Sequence, residues 1–244
     1  MLKVKPALKK ALMAVACLSS VPVAQAAISL DRTRVIFNGG ETSMTLNISN
    51  DNKQLPYLAQ AWVENDRQEK ITAGPIIATP PLQRLEPGEK SMVRLSVTPD
   101  ISKLPQDRES LFYFNLREIP PKSDKPNVLQ IALQTRVKLF YRPKAVEALP
   151  NAVWQDRLIL NRTHDGFRIE NPTPYYVTVI GLGDSEKQAR DGKFEAVMLA
   201  PESAKMVKAG NYTTPYLMYI NDYGGQPVLP FICDGDRCTA MKKK

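Results

Sequence analysis

The chain has 244 residues, with 33 Lys and Arg against 25 Asp and Glu, one His and three Cys. Charged residues at 24% and hydrophobic ones at 43% exclude a disordered, collagen-like or multi-span membrane composition. The single His and three Cys supply too few ligands for a protein-built transition-metal site, and they leave any His-based catalysis to His164.

The first segment reads as an export address. Lys3, Lys5, Lys9 and Lys10 precede an apolar run over 11–24, and Ala24-Gln25-Ala26 supplies the small residues that a signal peptidase reads. The run is shorter than the ~20 residues of a membrane span, and Ala14-Val15-Ala16-Cys17 is a poor lipoprotein box. Cleavage after Ala26 removes four lysines, so the net charge of +8 falls to +4 and nucleic acid loses its case as a partner. The mature chain keeps two cysteines, Cys233 and Cys238. An even count in an exported protein predicts a disulfide, and four intervening residues suit a bridge near a hairpin tip.

The remaining 218 residues are about twice an immunoglobulin-type sandwich of ~100 residues. Met44, Leu46 and Ile48 alternate with polar neighbours, and short apolar runs follow at 92–97, 111–114, 175–182 and 216–220. Asn38-Gly39-Gly40, Asn50-Asp51-Asn52, Glu86-Pro87-Gly88, Asn171-Pro172 and Tyr223-Gly224-Gly225 punctuate them. Short strands with frequent turns predict an all-β protein, two sandwiches meeting within 142–151, and one short helix near 184–192. The expected parts are the leader 1–26, a domain over 27–147 and a domain over 148–244.

One run is unusual. Residues 127–141 contain neither Gly nor Pro, and at ~3.3 Å per residue they span roughly 50 Å. Leu129, Ile131, Leu133, Val137, Leu139 and Tyr141 share one parity, while Gln130, Gln134, Arg136 and Lys138 share the other. Either this is a core strand that bends between layers, or it is an edge strand that overhangs and offers itself to another chain. Catalytic patterns are weak. His164 lies in a polar turn, Gly181-Leu182-Gly183 lacks the third glycine of a dinucleotide fingerprint, and no nucleophile elbow or phosphate loop occurs.

The eighteen residues Leu104–Pro121 (LPQDRESLFYFNLREIPP) are similar to the signature of the periplasmic pilus-assembly chaperones. Leu30–Arg34, Asn50–Asn52, Arg84–Gly88 and Asn171–Tyr176 resemble the same family. The resemblance implies two immunoglobulin-like β-sandwich domains in an L or boomerang arrangement, with no enzymatic activity and no cofactor. It implies that Arg34 and Lys138 bind the C-terminal carboxylate of a pilus subunit. Leu129, Ile131 and Leu133 would be donated to the subunit, and Glu109, Arg142 and Asp222 would tie the two domains. The short connection 122–126 fits the short-loop branch. The implied partners are fimbrial subunits and an outer-membrane usher, in the periplasm, with no small-molecule substrate. Pairing of the exposed strands between two free copies stays open. An exported adhesin or carbohydrate-binding module would explain the strands and the disulfide, but not the eighteen-residue match.

Overall fold

The computed structural model describes residues 26–241. The leader expected over 1–26 lies outside them except for Ala26, and so does the Lys tail 242–244. In the first half, β1 (Ile28–Leu30), β3 (Ser43–Asn50), β8 (Lys90–Val97) and β6 (Ile76–Thr79) form one sheet, in that order. The facing sheet runs β2 (Arg34–Asn38), β10 (Gln134–Arg142), β9 (Ser110–Ile119), β4 (Tyr57–Glu64) and β5 (Lys70–Ile71). A further strand, β7 (Leu82–Leu85), pairs with β4.

Alternation places Leu46 and Ile48 of β3, Val93 and Leu95 of β8, and Phe114 and Leu116 of β9 in a single core between the sheets. Each such side chain contributes ~1.5–3 kcal/mol on burial, which fixes strand register, because a one-residue slip would turn the row to solvent. Asn50 is buried and closes the turns at one end. Its amide donates to the carbonyls of Leu55, Leu85 and Glu86. Gly88 turns the chain there at φ +74°, a value that favours glycine. The Thr79–Pro80 peptide is cis.

The second half contains β11 (Ile159–Thr163), β12 (Gly166–Asn171), β13 (Val177–Gly183), β14 (Val197–Leu199), β15 (Ser203–Lys208), β16 (Tyr216–Ile220), β17 (Val228–Asp234) and β18 (Arg237–Ala240). The one short helix, α1 (Glu186–Asp191), falls inside the predicted 184–192 and starts at Ser185, whose hydroxyl accepts from the Gln188 N–H. It packs so close to β13 that a Cβ at Gly181 would overlap the Ala189 carbonyl.

These eight strands form one continuous sheet folded over its own core. The order is β14-β13-β16-β17-β18-β11-β12-β15. Strand β17 makes the corner. Val228, Leu229 and Pro230 pair with β16, and residues from Phe231 onward pair with β18. Pro230, which has no N–H to give a ladder, sits at the change of partner. Phe167, Leu160, Leu217 and Phe231 fill the space enclosed.

Cys233 and Cys238 are direct partners in the β17–β18 ladder and are joined by a disulfide, as expected from their number and spacing. The ring closes a short hairpin, so the chain-entropy stabilisation is about 2 kcal/mol. Replacing both residues by Ala should lower the unfolding free energy of the second half, read from denaturant titration, by about that amount. Hydrogen exchange should rise in β17 and β18 and stay unchanged in β10. Equal loss of protection in both halves would contradict this local role.

Candidate functional site

The site is organised by β10 and the segment before it. The fifteen-residue run does not form one strand. Asn127 turns the chain at φ +57°, and ladder pairing starts only at Gln134. The reason is the lack of a neighbour among the described residues. Residues 129–133 have no strand beside them there, and their one backbone bond among the described residues is from the Glu118 N–H to the Leu133 carbonyl, at 3.0 Å. Within β10 the odd residues Val137, Leu139 and Tyr141 are buried in the first core. The same parity then runs out into solvent, with Leu133 41%, Ile131 65% and Leu129 85% exposed. The even residues are held to their own domain, Gln130 by the Pro121 carbonyl at 2.6 Å and Gln134 by Asn115 Oδ1 at 2.9 Å.

Farther along β10, the even residues face the second half of the chain. Lys138 lies opposite Arg34 in the parallel β10–β2 ladder. Its ammonium donates to Thr178 Oγ1 at 3.2 Å, and Arg34 Nη1 donates to the Ile220 carbonyl at 3.3 Å. Arg34 Nε is buried with no partner among the described residues. Neither cation has a carboxylate within ion-pair distance among those residues. Burial lowers the pKa of Arg34, although Asp222 and Glu109 oppose the shift. Burial, and then the charge of Arg34, lower that of Lys138. Two partly desolvated cations in register, one a fork and one a point charge, form a receptor for an anion. Arg34 also lines a cleft of 1220 Å³ between the two halves.

The third feature is the end of β10. Arg142 donates to Glu109 from Nε at 2.8 Å and to Asp222 from Nη1 at 2.8 Å, so the three charged residues do come together. Glu109 also accepts the Tyr176 N–H at 2.7 Å, and the Glu109 N–H donates to the Pro174 carbonyl at 2.9 Å. The guanidinium stacks over Trp154 at 4.8 Å and Tyr175 at 5.0 Å. Trp154 was not singled out from sequence, and Tyr175, although within the Asn171–Tyr176 stretch that carries the resemblance, was given no role there. One guanidinium shared by two carboxylates neutralises only one. Burial therefore prevails at Glu109 and pushes its pKa up to about 7, against the pull of Arg142 and the Tyr176 N–H. His164 is exposed, beside Asp165 and outside this site.

Residues 27–147 match the family model described as pili and flagellar-assembly chaperone, PapD N-terminal domain. Residues 153–230 match the model for the C-terminal domain of the pili assembly chaperone PapD. Chaperone protein PapD of Escherichia coli is 72% identical over 236 residues, covering 97% of this chain and 99% of its own. Among solved structures, the periplasmic chaperone SfaE aligns with a TM-score of 0.69 and 29% identity, covering 84% of this chain and 100% of its own. The Salmonella enterica chaperone SafB, solved in complex with the SafA pilin, aligns with a TM-score of 0.71 and 26% identity, over 86% of this chain and 98% of that one. The protein is thus built from two immunoglobulin-like domains of the chaperone type. It belongs to the pilus-assembly chaperone family and is a chaperone of pilus assembly.

Glu109 gives the interface a pH dependence of known sign. The folded chain holds this proton more tightly than the unfolded one, whose carboxyl titrates near 4.5. Stability should therefore fall as pH rises from about 4.5 to about 7 and level off above that. Glu109→Gln should remove this component of the slope, read from denaturant midpoints across the window. Identical slopes in the two proteins would contradict the assignment.

Proposed function

We propose that this chaperone works in the periplasm by lending residues 129–133 as a missing strand to an incomplete pilus subunit. The supporting observation is the apolar row Leu129, Ile131 and Leu133. It continues the parity of the core row and stands in solvent without a strand partner. An exposed apolar segment with free backbone groups is a liability for a monomer and an asset for a strand donor. Arg34 and Lys138 grip the terminal carboxylate of the subunit, which fixes where along the segment it pairs. The cluster of Glu109, Arg142 and Asp222 holds the two domains, taken as 27–147 and 148–244, at a fixed angle around that grip. Export relies on the leader 1–26, and the disulfide suits an oxidising compartment.

Release to an outer-membrane usher then needs no nucleotide, since one strand is exchanged for another. Free molecules can cover their exposed segments by pairing with each other until a subunit arrives.

Burying one of the apolar side chains is worth ~1.5–3 kcal/mol, and 1.4 kcal/mol is a factor of ten in affinity. Ile131→Asp should therefore weaken subunit capture at least tenfold in purified components without nucleotide, whereas Gln130→Ser should change it little. Equal losses from both, or a strict need for ATP, would contradict strand donation. Arg34→Ala and Lys138→Ala should each give a folded, exported chain, by circular dichroism and secretion, that fails to accumulate subunits. Normal subunit levels in both would reject the anchor.

A further inference from the structure

A second buried polar contact lies at the start of the described chain. Glu118 lies on β9 and continues the inward row of Phe112, Phe114 and Leu116. It is 6% exposed. Its Oε2 accepts the Ala27 N–H at 2.7 Å and the Ile28 N–H at 3.0 Å. Among the described residues no Lys, Arg or His lies within ion-pair distance of it. Ala27 is 7% exposed, and its carbonyl accepts the Asp51 N–H at 2.7 Å. A buried carboxylate facing two neutral amides is incompletely compensated, because desolvating a charge is unfavourable unless an opposite charge meets it.

The missing charge coincides with the cleavage point of the leader. The A-x-A pattern ends at Ala26, so the scissile bond is Ala26–Ala27. We propose that Glu118 is the receptor for the mature amino terminus: cleavage turns the Ala27 amide into an ammonium, and this ammonium pairs with the Glu118 carboxylate. The inference rests on the export reading above. Hydrolysis by a signal peptidase consumes one water, breaks the C–N bond, leaves a carboxylate on Ala26 and frees the Ala27 amine. That amine takes a proton from solvent, since α-amino groups titrate near 7.7–8.0. One N–H donor becomes three, and a positive charge arrives 2.7 Å from the carboxylate without any new residue. The burial of Ala27 requires that the bond be cut before β1 docks.

The pair connects more than the terminus. Strand β1 belongs to the four-stranded sheet and β9 to the facing one, so the contact spans the sandwich. The backbone N–H of Glu118 also holds the Leu133 carbonyl at 3.0 Å, the root of the donated segment. Processing during export thereby fixes the residue from which the segment projects.

The test uses the oxidised mature chain. Intact mass should place its first residue at Ala27. Unfolding is then compared for the mature chain, for the same chain with one Gly before Ala27, and for both with Glu118→Gln. The added Gly should lower the folding equilibrium constant at least tenfold with Glu118 present and less than threefold with Gln. In the folded mature protein the Ala27 amine should also react with an acylating reagent at least tenfold more slowly than in the urea-unfolded chain. Should Glu118→Gln fail to fold, the Gly-extended chain and the amine reactivity decide without it. Equal Gly effects in the two backgrounds, or an amine as reactive folded as unfolded, would overturn the receptor while leaving the export reading intact. A mature chain that starts at another residue would overturn the receptor and the cleavage site together, and a chain that keeps its leader would overturn the export reading.

Discussion

Strand β10 is the constraint on which the other features depend. Its C-terminal end is fixed between the domains by Arg142, its middle is locked to β2 in parallel register, and its other end leaves the sheet. A strand presents alternate residues to opposite faces. The odd face therefore fills the first core and then runs on as Leu133, Ile131 and Leu129. The even face presents Lys138 and Arg142 to the second domain. Both faces share one backbone, so the root of the apolar row at Leu133 lies a few residues from Lys138 along the same chain. Leu133 stands five positions before Lys138, about 16 Å along an extended chain at the usual rise per residue.

In the proposed mechanism, spacing matters because the two recognition elements are individually unspecific. An apolar row accepts any groove of matching width, and a pair of cations accepts any anion. Under the proposed mechanism, the spacing between them would admit only a chain whose terminal carboxylate lies at the right distance from an unfilled groove. The cost is visible in the free protein: a buried guanidinium nitrogen without a partner among the described residues, two cations held close, and apolar side chains in water. A fold optimised for its own stability would neutralise all three. Their coexistence along one strand is consistent with a binding partner that resolves them together.

Much of this was legible in the residues. The run 216–220 is strand β16 as read, the helix falls within its expected window, and the paired cysteines meet. Alternation from 129 to 141 is plain, yet it could not show where pairing stops, because a strand ends where its neighbour ends. Phe140 shares parity with Lys138 and is nonetheless buried, since Tyr176 packs on it with ring centroids 5.4 Å apart, a contact across the domain boundary. Arg34 looks like any surface arginine in a polar stretch, and family resemblance alone singled it out. Glu118 was missed although its signal was present, a carboxylate in line with Phe112, Phe114 and Leu116. The corner at Pro230 was equally hidden, because a strand that changes partners is still a single run of residues.

The claim that a terminal carboxylate sets the register can be tested on the subunit rather than on the chaperone. A cognate pilus subunit is prepared with its native C-terminus and, by ligation, with the same C-terminus as a carboxamide. Both are titrated with the wild-type chaperone at low and high salt. An amide keeps the shape and removes the charge, so Arg34 and Lys138 would lose their counter-ion and nothing else would change. Capture of the amidated subunit should be at least tenfold weaker, and the salt dependence seen with the native subunit should largely vanish. Equal affinity for the two subunits, with the same salt dependence, would contradict it.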